Sequence, residues 1–247
     1  MKAIMLFLAG LLILTNGCEQ FISEEDFSKQ LTGKVRDTSG KMLSDVKVFI
    51  IYNFDHSDTL FKGPDSPTGT FLEQNFPNPF NCFSTFKFYL TDTAEIKADI
   101  ALFDGTPVLN SAIDEILPAG TYEWRDDLSL ELPSNGYVLS MMVKEKNDTT
   151  YWERSFIRSY RTYDSSIINT APNTVTVNGI FELKYNSMPF RQTYVTTLEA
   201  DPTPMGYCTV NEYLTIVLYK PGFKVYQENV LIKFDRYINK DFVLQPE

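Results

Sequence analysis

Histidine is almost absent: His56 is the single one among 247 residues, beside three cysteines and two tryptophans. One imidazole excludes the multi-histidine zinc sites and leaves a Ser-His-Asp triad with one candidate base. Three cysteines exclude a disulfide-dense scaffold. Positive charge is short as well, with 22 Lys+Arg against 32 Asp+Glu for a formal net charge of −10. That balance argues against a dedicated binder of DNA, RNA or anionic lipid, which needs a basic face to displace counterions. No glycine-rich phosphate loop opens a helix, and no Cys-x-x-Cys pair occurs. Aromatics are abundant, 14 Tyr and 19 Phe in a chain that is 43% hydrophobic and long enough for one large or two small domains with real cores.

The first twenty residues read as an address. Lys2 precedes twelve apolar or small residues, Ala3 to Leu14. As a helix these span roughly 18 Å, too short for a hydrocarbon core of about 30 Å, so residues 1–17 read as a signal peptide rather than a membrane span. The run ends in Thr15-Asn16-Gly17-Cys18, which resembles a bacterial lipobox and implies that Cys18 is acylated and becomes the mature N-terminus. Thr15 stands where that motif has leucine, with Leu14 one step further away. The other reading is ordinary secretory cleavage near Gly17, with Cys18 an incidental thiol. Removing residues 1–17 takes away one lysine and leaves a net charge of −11. Residues 18–29, polar and acidic, read as a tether. Their acids resemble the surface-export signals of Bacteroidetes-type lipoproteins, and a solvated linker is the plainer reading.

Beyond the tether, helical periodicity is missing and period-two runs bounded by Gly, Pro, Asn and Asp recur, the pattern of an all-β chain built of sandwiches. Leu31, Gly33 and Val35 alternate with polar neighbours, a turn follows at Asp37 to Gly40, and Val46, Val48 and Ile50 continue. This segment resembles the opening of the carboxypeptidase regulatory-like domain, a small transthyretin-like sandwich, with Gly33, Val35, Asp37, Gly40, Leu43, Val46 and Val48 in the family's places. The Gly-x-Phe strand of that family is missing for over a hundred residues and reappears as Gly179, Phe181 and Leu183, after an Asn178-Gly179 pair suited to a type I′ hairpin turn. Tyr213 to Gly222-Phe223 and Lys240 to Leu244 resemble its later strands. Residues 30–53 and 173–245 are therefore expected to form one discontinuous sandwich, interrupted at a loop tip where insertion is cheap.

The interruption holds the most specific string in the chain. Leu72 to Asn81, with Gln74, Asn75, Pro77, Asn78, Pro79, Phe80 and Asn81, resembles the opening of the type IX secretion C-terminal domain and the related flagellar-hook-assembly Ig-like fold, departing over ten positions only by Phe76 for Tyr. Its prolines forbid helix and fix φ, and Asn78 and Asn81 are expected to bond their own turns. Ser84 to Leu90 alternates as a first strand and Ile96 to Leu102 follows. Trp124 after Gly120, the Gly136-Tyr137 hairpin, and a last strand from Tyr151 to Ile157 complete the resemblance. It covers about ninety residues, 66–160, between linkers at 54–65 and 161–172. In cargo of the type IX system this domain is the C-terminal end, whereas roughly ninety residues follow it here, so it is expected to serve as a structural sandwich rather than a sorting signal.

The chemical inventory is thin. His56 falls in a polar stretch between the expected modules and reads as a loop histidine. Asp126 and Asp127 are candidates for a cation, with a solvated turn the plainer reading. Arg154, Arg158 and Arg161 interleave with Trp152, Phe156 and Tyr160, which would place a cationic aromatic strip on one strand face, explained by packing and ion pairs or by glycan stacking. If Cys18 is acylated, Cys82 and Cys208 remain as an even pair in an oxidising envelope. They either bridge the two sandwiches, for roughly 3–5 kcal/mol, or stay as two buried thiols.

The sequence thus reads as two Ig-like/transthyretin-like β-sandwiches, one inserted in the other, after a signal peptide. Neither family's domain is catalytic by itself. The expected protein is a non-enzymatic cell-envelope lipoprotein of the outer membrane, facing either the periplasm or the cell surface. It is held to the membrane by its lipid anchor, needs no cofactor or metal, binds no nucleic acid, and displays, adheres to or assembles with a glycan or protein partner. One alternative is a secreted protein that uses the Ig-like module as a type IX sorting domain. A hydrolase accessory subunit is the second, disfavoured by the placement of the lone histidine.

Overall fold

The computed structural model describes residues 30–56, 61–62, 69–126, 128, 131–146, 148–160, 162–197, 204–233 and 237–247. The signal segment, Cys18, the tether, Asp127 and Arg161 lie outside the described residues. What is described is all-β, with two short 3-10 turns at Ser165–Asn169 and Tyr185–Ser187. In chain order the strands are β1 (Gln30–Asp37), β2 (Lys47–His56), β3 (Phe61–Lys62), β4 (Phe71–Leu72), β5 (Ser84–Leu90), β6 (Ala94–Leu102), β7 (Pro107–Leu117) and β8 (Gly120–Asp126). They continue with β9 (Asn135–Glu145), β10 (Asp148–Arg158), β11 (Thr174–Val175), β12 (Ile180–Lys184), β13 (Thr193–Thr197), β14 (Pro204–Tyr219), β15 (Tyr226–Leu231) and β16 (Ile238–Leu244).

Hydrogen bonding sorts these into four sheets. One sandwich pairs β12-β1-β16 with β11-β2-β14-β13, the long β14 also carrying β15 and β3. A second pairs β4-β5-β8 with β10-β9-β6-β7. The alternation that predicts strands also builds the cores. In β5 every second residue from Ser84 to Leu90 is buried, and Phe86, Phe88 and Leu90 face Ile96, Leu139, Met141 and Phe156 across the second sandwich. In the first, Leu31, Val35, Phe181 and Phe242 meet Val48, Ile50, Leu214 and Ile216.

Local turns form as their residues dictate. Asp37 Oδ1 accepts from Ser39 N, Ser39 Oγ and Lys41 N, while Gly40 closes the turn at φ 87. The Ser39 hydroxyl, ahead of the two backbone donors, holds the Asp37 carboxyl below its ordinary range. Asn178 and Gly179 both sit at positive φ, as a type I′ turn requires, and Val177 and Ile180 exchange two hydrogen bonds across them. That hairpin spans a corner, because β11 belongs to the sheet of β2 and β12 to the sheet of β1. Gly33 sits opposite Phe181 in the ladder, and a Cβ there would lie 2.1 Å from the ring. Tyr122 and Tyr137 each donate a hydroxyl back to the carbonyl of a proline four residues earlier, Pro118 and Pro133, at 2.6 Å.

Two segments expected as linkers are built into the first sandwich. β2 continues to His56, opposite Cys208 of β14, and Phe61–Lys62 pairs with Pro204 and Met205. The reason for the other lies in β2 itself: Val48, Ile50 and Tyr52 face the main core while Phe49 and Ile51 are equally buried on the outer face. That outer face needs a cover, and Tyr160, Tyr163, Ile167 and Ile168 supply it against Phe49, Ile51 and Val217. Full burial of an apolar side chain such as Phe49, Ile51 or Ile167 contributes about 1.5–3 kcal/mol.

Candidate binding cleft

The string Gln74 to Asn81 forms no strand of its own and touches three strands in turn. Phe76 bridges to Thr85 of β5, Asn78 to Thr197 of β13, and Phe80 to Arg158 at the end of β10. Prolines between these residues remove N–H donors where no ladder partner exists, and the Phe76-Pro77 and Asn78-Pro79 bonds are cis. Asn75, wholly buried, donates to Pro77 O at 3.0 Å and Ser84 Oγ at 2.8 Å, and accepts from Gln74 Nε2. Asn75 therefore closes its own turn. Asn78 does not: its Nδ2 donates to Val195 O at 2.6 Å and its Oδ1 accepts from Ile157 N at 2.9 Å. The expectation of a local Asn78 bond is corrected because the residue, 1% exposed, lies wedged between strands of both sandwiches whose backbone groups need partners. Asn81 is exposed.

Other bonds tie the same join. Thr197 Oγ1 donates to Asn75 O at 2.7 Å, Tyr52 N to Ser159 Oγ at 3.1 Å, Asn135 Nδ2 to Ser187 O at 2.8 Å, and Asn173 Nδ2 to Ser134 O at 2.6 Å. Gly136 packs where a Cβ would lie 2.3 Å from the Tyr194 hydroxyl and 2.8 Å from Phe103 and Pro189. Burial raises the phenols of Tyr52, Tyr137 and Tyr194 above their ordinary range.

Beside the string the two sandwiches leave a cleft of about 790 Å³. Its described lining comes from Tyr52 to Phe54, Pro77 to Asn81, Ser159, Tyr160, Thr162, Asp164 and Ser166, Thr196-Thr197, and Gly206. Its floor is fixed by the bonds of Asn78, Ser159 and Thr197, and by the Tyr160 hydroxyl, which donates to Thr170 Oγ1 at 2.9 Å. No lysine, arginine or histidine lines it among the described residues, and Asp164 brings the single formal charge. Asp164 Oδ1 accepts from Ser166 N at 2.9 Å, capping the 3-10 turn.

The remaining candidates are scattered. Trp124 packs half-buried on Phe86 at 5.3 Å between ring centroids, and Tyr137, fully buried, stacks on Phe156 at 5.5 Å. Gly222 turns at φ 84 with open space around it. Asp126 ends β8 opposite Ser84, and among the described residues no three His, Cys, Asp or Glu side chains gather to hold a metal ion. Cys82 and Cys208 are free thiols, so the bridge is not formed. Cys208 faces the first core, where burial pushes its thiol up to about 12.

The cationic aromatic strip is not a surface. Trp152, Arg154, Phe156 and Arg158 share the face of β10 that packs inward, and Phe156 and Arg158 are wholly buried. Arg154 donates to Leu72 O and lies 5.4 Å from the Phe71 ring, its guanidinium partly desolvated and its pKa drawn down. Arg158 donates Nη2 to Tyr160 OH at 2.8 Å. Nothing in the sequence singled out Ser159, Thr197 or Asn173, small polar residues without a motif. Their one signal is position: Ser159 just after β10, Thr197 at the end of β13 and Asn173 just before β11.

Among the described residues no helix is long and apolar enough to cross a membrane. A scan against protein-family models, a search of curated proteins and a search of solved structures each return no match to this chain.

Proposed function

We propose that this chain is a non-catalytic cell-envelope lipoprotein, anchored through Cys18, in which a type IX-like sandwich interrupts a carboxypeptidase regulatory-like one and the pair serves as a binding or assembly module. The observation that supports the structural role of the inner sandwich is the burial of Asn75 and Asn78. The string that a sorting machinery would have to read is stitched to Val195, Thr197 and Ile157. A binding role draws support from a cleft whose described lining is rich in amides, hydroxyls and rings.

The test is fractionation of cells carrying the wild type or Cys18→Ala, followed by protease treatment of intact cells. The expected outcome is a membrane-bound, protease-accessible wild type and a soluble Cys18→Ala protein. A soluble wild type, or one cut near residue 66 and released, overturns the anchor and makes the sorting reading the better one.

A further inference from the structure

We infer that the outer face of the β12-β1-β16 sheet is the docking surface for the chain's own N-terminal segment, residues 19–29.

Exposed apolar side chains gather at one end of that sheet. Arg36 stands opposite Val243 in the ladder with β16 and opposite Met42 in an isolated bridge, and one row back Lys34 stands between Ile180 and Asp241. Val177 pairs with Ile180 across the Asn178-Gly179 turn, and Met42 lies against that turn, its Cε 2.7 Å from where a Cβ on Gly179 would be. Met42, Val177, Ile180 and Val243 are all exposed, Val177 at 68%. A contiguous apolar patch of this kind marks a contact surface, unlike apolar residues scattered singly. Three exposed cations border it, Lys34, Arg36 and Lys41. Arg36 meets Asp241 at 3.5 Å, an exposed ion pair that water screens and a second carboxylate can share.

The occupant that fits is acidic and apolar at once, and the chain carries such a segment next to this sheet. Residues 19–29, outside the described residues, hold Glu19, Glu24, Glu25 and Asp26 against Lys29, together with Phe21, Ile22 and Phe27. They join β1 at Gln30. A strand rises about 3.3 Å per residue, which puts Lys34 about 13 Å and Arg36 about 20 Å from that point. A segment that doubles back after a single turn brings Glu24 level with the row of Lys34, and Phe21-Ile22 level with the row of Met42, Arg36 and Val243. Carboxylates then meet cations and apolar residues meet the patch. The covalent link also gives the segment an effective concentration of about millimolar at this face, which a separate partner of the same chemistry has to exceed. A bilayer fits less well, because Asp45 and Asp241 are exposed on the same rim and the chain carries −10 overall.

The consequence rests on the anchored reading above. Cys18 lies three residues before Phe21. A docked segment therefore holds the Asn178-Gly179 end of the first sandwich toward the bilayer, whereas an undocked one lets the body turn freely up to about 40 Å away.

The test is disulfide trapping in the whole chain purified in detergent, with Cys82→Ser to remove the half-buried thiol. Ile22→Cys is combined either with Val243→Cys or, as the control, with Asn229→Cys on an exposed position of β15 in the other sheet of the same sandwich. Glutathione disulfide is the oxidant, and mass spectrometry identifies the bridged peptides. Bridging of Ile22→Cys to Val243→Cys within one chain is expected to be about ten-fold faster than to the control. Adding Lys34→Glu and Lys41→Glu should slow it about five-fold, as two exposed ion pairs are reversed. Both lysines are exposed, so the thermal midpoint should not move. Equal rates at the two positions, bridging between two chains rather than within one, or a rate indifferent to the charge reversal overturns the proposal. Trapping does not require acylation. A membrane-bound protein that fails to bridge overturns this inference alone, and bridging in a protein that fractionates as soluble upholds the docking while the anchor falls.

Discussion

Arg158 is the residue whose environment is least comfortable. It is the one fully buried charged side chain among the described residues, and its Nε and Nη1 have no hydrogen-bond partner there. Desolvation draws its pKa down, opposed by the nearby Tyr160, Tyr137 and Cys82. What offsets the cost is a relay: Nη2 to Tyr160 OH, Tyr160 OH to Thr170 Oγ1, Thr170 Oγ1 to Ile167 O, with the Tyr160 ring 5.2 Å from the guanidinium carbon. One cation–π contact and one neutral acceptor offset less than the several kcal/mol that an unpaired buried charge costs. Arg158→Met keeps the length and removes the charge. It is expected to stabilise the fold by about 1–3 kcal/mol, whereas Arg158→Lys, which keeps the charge and shortens the reach to Tyr160, lowers the midpoint. Urea unfolding of the three proteins checks this, and a destabilised Arg158→Met would mean that the guanidinium is worth more in place than its contacts suggest. The interleaving of Arg154, Arg158, Trp152 and Phe156 was legible in the sequence as one strand face. Which way that face points was not, because period-two alternation groups residues without telling core from solvent.

At the scale of elements, the string from Gln74 to Asn81 does the joining. Asn78 serves two backbone groups at once, Val195 C=O from β13 and Ile157 N–H from β10. Asn78→Ala leaves both unpaired in a buried join and is expected to cost about 2–4 kcal/mol, whereas Asn81→Ala, exposed on the same string, should be near neutral. Equal chemical midpoints for these two variants would refute the joining role. Elements with strong local signals were read well from sequence: β5 spans Ser84–Leu90, and the Asn178-Gly179 turn forms as its dipeptide demands. β7 carries no such signal, since it is mostly exposed with Ile113 its one fully buried residue and Leu109, Ala112 and Leu117 half-buried out of step, and apolar alternation needs a regular buried face. The alternation of β14 is legible from Tyr213, whereas the strand begins at Pro204. Its pairing with β2 shifts register between Val210 and Leu214, where Asn211 and Glu212 break the apolar run.

For the whole molecule the question is whether two sandwiches behave as one. Domains joined by small polar interfaces usually move independently. Here the end of β10 is shared, Phe156 belonging to the second core and Ile157 to the first. Phe103 of the second sandwich packs edge-on against Tyr194 of the first at 5.4 Å, with Gly136 beneath. The two cores were foreseeable from length, aromatic content and turn spacing. The join was not, because Ser134, Ser159, Asn173 and Thr197 look in sequence like any loop or strand-end residue, and their partners lie 39 to 123 positions away. A shared strand end and a common aromatic contact couple the unfolding of one core to the other. The wild type is therefore expected to melt in a single calorimetric transition, with calorimetric and van't Hoff enthalpies in agreement. Gly136→Val places a side chain where the Tyr194 hydroxyl, Phe103 and Pro189 now sit, pushes the sandwiches apart at that contact, and should split the endotherm into two. Two resolved transitions already present in the wild type would show that the join aligns the sandwiches without coupling them, and Gly136→Val would then lower only the transition of the second core.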